Sequence, residues 1–169
     1  TAGGIPFILD EPQRTNLVTY SNQLNLWNRF NNITKSIDTV VVDPEGNLAS
    51  KYLKNSSSFA LASKDNISIV ANSNYSFSFF VRKGNFSIIQ LEVGFNINNV
   101  RISYNIDTNT FNNVSSGTQT LISSSSELLQ NGFVRITAVF IGTITNVNFS
   151  FLGFSQVNDF IYIFGSQLE

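Results

Sequence analysis

Cysteine, methionine and histidine are absent from this chain. It therefore cannot staple itself with disulfides, offer a thiolate nucleophile, use an imidazole as general base or hold a transition metal through histidine. Charge is scarce as well, at 12% of residues with a net of −1. That balance supplies no broad basic surface of the kind that binds phosphate backbones, so nucleic acid is not an expected partner. Apolar runs are of strand length, well short of the ~18 residues that cross a bilayer, so membrane insertion is not expected.

What is present is a 169-residue chain that is 42% hydrophobic, with 16 Phe. That length is enough for one domain to bury a core without covalent help. Solubility falls to Asn, Ser and Thr, a surface that suits an extracellular or particle-borne module as well as a cytosolic one. Sequons such as Asn32-Ile33-Thr34 and Asn85-Phe86-Ser87 arise by chance in such a composition. Thr1-Ala2-Gly3-Gly4 is too small and flexible to begin a packed element and lacks an initiator methionine. The expectation is a single domain over 1–169 cut from a longer protein, with residues 1–10 linking it to what precedes.

The clearest local signal runs from Asn72 to Gly84. Tyr75, Phe77, Phe79 and Val81 alternate with Ser76, Ser78, Phe80 and Arg82, a period of two that marks a strand with one buried face. The pattern recurs at Ile89, Leu91, Val93 and Phe95, at Ile102, Tyr104 and Ile106, at Val134, Ile136, Ala138 and Phe140, and at Val147, Phe149 and Phe151. Further strands are expected over Ile5–Leu9, Ile37–Val42, Ala49–Leu53, Phe59–Ala62, Ile67–Ala71 and Phe160–Phe164. Short strands separated by turn signals, with no long helix, predict an all-β fold: an antiparallel two-sheet β-sandwich of jelly-roll type.

Between the strands, Asp43-Pro44-Glu45-Gly46-Asn47 predicts a tight turn. Asp43 and Glu45 are the sole hint of a calcium site, and they fall well short of the six to eight oxygens calcium wants. No other cofactor is expected. Ser123 to Ser126, followed by Glu127, Leu128 and Leu129, predicts a capped helical turn, because Ser with an acid three residues on forms a capping box. Leu24, Leu26, Trp27 and Phe30 predict a loop with a short helix. Arg14, between Glu11 and Leu17, reads as a residue tying a corner through its fixed fork of donors.

Several segments together resemble the carbohydrate-binding-module-like, lectin-like domains of bacteriophage tail and head fibres. They are Glu11-Pro12-Gln13-Arg14-Thr15-Asn16-Leu17, Asp43-Pro44-x-Gly46 with Ala49 and Lys51, Val81-Arg82-Lys83-Gly84, Asn131-Gly132-Phe133-Val134-Arg135 and Gly165-Ser166-Gln167-Leu168-Glu169. The chain departs from that family at Phe133-Val134, where Trp-Tyr is usual. The resemblance implies a virion-surface module that binds polysaccharide or glycan of a bacterial host, contacts other virion proteins and assembles as a homotrimer.

The residues themselves point to a surface for such a task. If the apolar faces of the central strands meet in the core, the opposite faces gather Phe80, Arg82, Gln90, Glu92, Arg101, Asn105 and Arg135, with Ser78, Ser103 and Thr137. Planar hydrogen-bonding groups and an aromatic face suit sugar hydroxyls and the C–H side of a sugar ring. Trp27 and Tyr52, placed in loops, are the next candidates. The same surface also fits a plain solvated face or one packed against neighbouring subunits. The alternatives to a binding module are thus a structural module of the fibre and an accessory domain of a glycan-degrading tailspike. Catalysis by the domain itself is not expected, since glycoside hydrolysis ordinarily wants two carboxylates about 5–9.5 Å apart and Glu92 is the only mid-strand acid.

Overall fold

The computed structural model describes residues 16–18, 27, 29–95, 97–152 and 156–169. The expected strand Ile5–Leu9, the corner at Arg14 and the Leu24 and Leu26 segment lie outside them. The described chain forms twelve strands: β1 (Arg29–Asn31), β2 (Ile33–Val42), β3 (Leu48–Lys54), β4 (Leu61–Ser68), β5 (Ser73–Lys83), β6 (Ile88–Phe95), β7 (Asn98–Asn105), β8 (Thr110–Ser116), β9 (Thr120–Leu128), β10 (Val134–Gly142), β11 (Asn146–Leu152) and β12 (Phe160–Leu168). They pair into two six-stranded sheets. Sheet A has the order β1-β4-β11-β6-β7-β8, and sheet B has β2-β3-β12-β5-β10-β9. Every pairing is antiparallel. This is the two-sheet sandwich that the alternation predicts.

Alternation sets which side chains face inward. On β5, Phe77, Phe79 and Val81 are fully buried, as are Leu91, Val93, Ile102, Ile136, Ala138, Phe140, Val147, Phe149 and Phe151 from their strands. Tyr75 is half-buried and packs at the margin, its hydroxyl accepting the Val70 N–H at 2.6 Å. Phe79 and Phe149 stack across the two sheets, with centroids 4.8 Å apart and planes 3° from parallel. Each such side chain contributes about 1.5–3 kcal/mol by leaving water. The last strand is fastened at two places: Asn16 Nδ2 donates to Ser166 O and Leu168 N donates to Asn16 Oδ1, while Ser76 and Glu169 exchange two backbone bonds.

Several local expectations are corrected. Ser123 to Ser126 lie within β9, because each of the four finds a partner on β10; the helical turn falls later, as a 3-10 turn at Gln130–Gly132. The strands expected at Phe59–Ala62 and Ile67–Ala71 are one strand, β4, and Ile69 to Asn72 form the connection out of it. The Asp43 turn forms as expected, with Asp43 Oδ1 accepting the Glu45 and Asn47 N–H groups at 2.9 and 3.0 Å. Asp43 is 6% exposed, and one oxygen of its carboxylate is engaged by its own turn. Among the described residues no group of three or more ligating side chains gathers around it or elsewhere.

Candidate binding faces

The seven candidate residues on central strands do not share a surface. Phe80, Arg82 and Arg135 lie on sheet B, on β5 and β10, whereas Gln90, Glu92, Arg101 and Asn105 lie on sheet A, on β6 and β7. All point away from the core, so the two groups occupy opposite outer faces of the sandwich. Trp27 and Tyr52 are not on loops exposed to ligand. Trp27 is 5% exposed and meets Phe79, Phe149 and Phe151 at 5.9–6.2 Å. Tyr52, on β3, is fully buried against Phe151, and burial holds its phenol far above the ordinary range.

The outer face of sheet A is largely self-satisfied. Glu92 and Arg101 sit opposite each other in the β6–β7 register, and Glu92 Oε2 accepts from Arg101 Nε at 2.8 Å and Nη2 at 2.7 Å. Both are partly exposed, so the pair contributes only about 0–1 kcal/mol. Asn105 Oδ1 caps the following turn by accepting the Asp107 and Thr108 N–H groups. Gln90 is half-buried beside Ser103. Among the described side chains, none in the central rows of this face is aromatic.

Sheet B carries the aromatic surface. Across β12, β5, β10 and β9, the register aligns Phe164, Phe80, Arg135 and Glu127 in one row. Lys51, Tyr162 and Arg82 form the row on one side; Gln167, Ser78, Thr137 and Ser125 form the row on the other. Phe80 and Phe164 are half-buried and tilted together at 5.7 Å. The Arg135 guanidinium lies 5.6 Å from the Phe80 centroid, and its Nη2 donates to Gln167 Oε1 at 3.3 Å. A β-bulge between Phe164 and Ser166 puts Ser166 inward and so brings both Phe164 and Gln167 to the outside.

Two segments frame this face. The turn after β9 supplies Asn131 O, which accepts from Arg82 Nη1 at 2.7 Å, and buries Phe133. Within β2, the register breaks between Ile37 and Val42. There Asp38 Oδ1 accepts the Val40 and Val41 N–H groups at 2.9 Å, while Oδ2 accepts the Tyr162 hydroxyl at 2.8 Å. Val41, Leu129, Phe160, Phe80 and Phe164 pack on Ala49, Phe133 and Tyr162 as a second apolar cluster outside the main core. Lys51 Nζ sits 3.8 Å over the Phe160 ring. Phe164, Tyr162, Phe160, Lys51 and Gln167 are the residues of this face that sequence reasoning missed. The signal was there, since Phe160 to Phe164 is apolar on both faces, as a strand covered on both sides would be.

The Asp38 bonds have a titration consequence. The Val41 N–H, then the Val40 N–H and the Tyr162 hydroxyl, hold the Asp38 carboxyl down to about 2, and burial and Asp38 together push the Tyr162 phenol up. A carboxyl whose folded pKa lies below its unfolded value of about 3.9 stabilises the fold above that value, and the contribution is lost as pH falls toward about 2. Between about pH 5 and pH 2, wild type should therefore lose more of its urea midpoint than Asp38→Asn does. Parallel curves would show that this link is not made in solution.

No protein-family model and no curated protein matches the chain. Among solved structures, it is similar to the CBM22-1–GH10 modules of Clostridium thermocellum endo-1,4-beta-D-xylanase 10B, solved with xylohexaose, at TM-score 0.50 and 12% identity over 93% of this chain. The chain spans 29% of that structure's length. A further similarity is to TmCBM61, solved with β-1,4-galactotriose, at TM-score 0.34 and 17% identity over 90% of this chain and 99% of that one. The first likeness is one of fold: a two-sheet β-sandwich.

Proposed function

We propose that this chain is a non-catalytic glycan-binding module and that the outer face of sheet B is its binding surface. The observation that carries the reading is the row Phe164, Phe80 and Arg135, flanked by Arg82, Tyr162 and Gln167. Two aromatic rings give apolar area for the C–H face of a sugar. Beside them stands Arg135, whose Nη2 donates to Gln167; among the described residues no further bond engages its other terminal N–H groups, while its Nε is buried,. The fold shared with the xylanase modules supports the reading, since that structure was solved with xylohexaose; fold alone does not carry function, and the face does.

The setting we propose is a tail or head fibre on the surface of a virion, where the module attaches to polysaccharide of a bacterial host and packs beside other virion proteins as a homotrimer. Its support is the five-segment resemblance. Single-site affinity is then near millimolar, and several copies acting together supply attachment. Sedimentation of the parent protein as a monomer would contradict the trimer.

The test is a glycan array followed by titration of the best binder against wild type, Phe80→Ala and Arg135→Gln. Each variant should keep its circular dichroism spectrum and lose about tenfold in affinity, as expected for ~1.4 kcal/mol of lost contact. Equal binding by all three would move the site off this face. Absence of any binder would favour the structural-module alternative, in which the second apolar cluster is covered by a neighbouring subunit.

A further inference from the structure

At one end of sheet A, away from the aromatic face, the termini of β4, β7 and β11 and the connection between β10 and β11 enclose a cleft of about 460 Å³. Ligand pockets commonly fall between about 300 and 1,000 Å³. Its lining includes four asparagines, Asn66, Asn98, Asn146 and Asn148, together with Ile97 and Ile144. No ionisable side chain is among the lining residues.

The local sequence explains the arrangement. Opposite Asn148 the β4–β11 register slips between Val147 and Phe149, and Asn66 there takes a φ of 60°, a left-handed conformation that asparagine tolerates better than most residues,. Such bulges re-aim side chains at the rim of a sheet. Asn98 is held by its neighbours: its Oδ1 accepts the Thr118 N–H at 3.1 Å, and its carbonyl accepts Gln119 Nε2 at 2.8 Å. Gly117 makes room for this, because a Cβ there would lie 2.0 Å from Asn98 Oδ1.

The amides are thereby oriented. Asn148 Oδ1 accepts the Asn66 N–H at 3.1 Å, and Asn146 Oδ1 accepts the Ser68 hydroxyl at 3.3 Å. A backbone N–H can only donate, so for Asn98 and Asn148 the oxygen is the bonded atom and the NH2 is the free one. Asn98 and Asn148 thus spend an acceptor within the protein and keep their donors, beside Asn146 and two isoleucines of which Ile97 is 76% exposed.

We propose that this cleft is a second binding site and that its ligand is a neutral sugar of one or two pyranose rings. Hydroxyl and ring oxygens accept from the asparagine NH2 groups, while the C–H face lies on Ile97 and Ile144. An anion is disfavoured because no lining cation would offset its desolvation. The inference stands on the cleft alone and does not require the sheet B face to bind.

The experiment is a titration of isotope-labelled protein with glucose, galactose, xylose and N-acetylglucosamine in turn, following the side-chain NH2 resonances of Asn98, Asn146 and Asn148. At least one sugar should give saturable shifts at millimolar concentration. Asn146→Ala should weaken the response by about tenfold, Ile97→Arg should abolish it by filling the mouth, and Phe80→Ala should leave it unchanged. The backbone spectrum reports folding of each variant, and Ile97→Arg changes an exposed side chain in case Asn146→Ala disturbs β11. No saturable shift with any of the four sugars, or shifts that survive both cleft variants, would overturn the site. Loss of the cleft shifts in Phe80→Ala would overturn its independence, whereas loss of sheet-face binding alone would leave it standing.

Discussion

Phe79→Ala should cost about 3–5 kcal/mol of folding stability, the range for deleting a well-packed core aromatic. Phe79 is fully buried, stacks on Phe149 at 4.8 Å, and meets Phe151 edge-on at 6.1 Å and Trp27 at 6.2 Å. It is one of the rings through which the two sheets touch, beside Phe77 on Phe149 and Tyr52 on Phe151, and its neighbours come from rigid strands that cannot all collapse into the void. A domain of this size shifts its melting temperature by about 2–4 °C per kcal/mol, so a drop of roughly 6–20 °C is expected. Total stabilities are about 5–15 kcal/mol, so the variant would be marginal. A drop of only a degree or two in a thermal melt would mean that the sandwich is not joined there.

Gly94→Ala should be the most damaging single-methyl change, on the order of 2–4 kcal/mol. Gly94 sits in β6 next to its turn into β7 with φ +155°, and an added Cβ would lie 2.3 Å from Asn98 O and 2.5 Å from Asn99 Cα. Both atoms are backbone, so no flexible side chain can swing away. The hairpin must open, taking with it the paired rows that hold Glu92 against Arg101. Gly46→Ala is the control: φ there is +89° but nothing lies within 4 Å of the added carbon, so only the conformational cost of about 1–2 kcal/mol remains. Urea denaturation of both variants measures the difference. A Gly94→Ala protein no less stable than Gly46→Ala would refute the close approach.

Strand identity and burial were legible because a period of two is a local property. Tyr75, Phe77, Phe79 and Val81 face one way whatever β5 pairs with, and the structure puts three of them fully inside and Tyr75 at the margin. Sheet membership is not local. Alternation says in or out, but a sandwich has two outsides, and only the order of strands tells which outside a residue joins. Arg82 and Arg101 read alike in sequence and end on opposite sides of the molecule for this reason. Tyr52 was misjudged by its neighbours: Lys51 and Leu53 face out on β3, while Ser50 and Lys54 share the inward phase of Tyr52, so the polarity pattern there opposes the burial. The Ser123 to Ser126 run carries a capping-box spacing, yet pairing with β10 outweighs one local bond.

Described residues of four of the five resembling segments lie together on sheet B. Val134 pairs with Val81, Arg82 Nη1 reaches Asn131 O, and Gln167 and Leu168 pair with Ser78 and Phe77. Asn16 bonds to Ser166 and Leu168 on the last strand.

The most direct measurement is backbone amide shift mapping of labelled protein with the best oligosaccharide from the glycan array. Shifts concentrated at Ser78–Arg82, Arg135–Thr137 and Tyr162–Gln167 are the predicted result, with the aromatic row as the binding surface. Shifts clustered around Glu92 and Arg101 on sheet A, with none on sheet B, would contradict it.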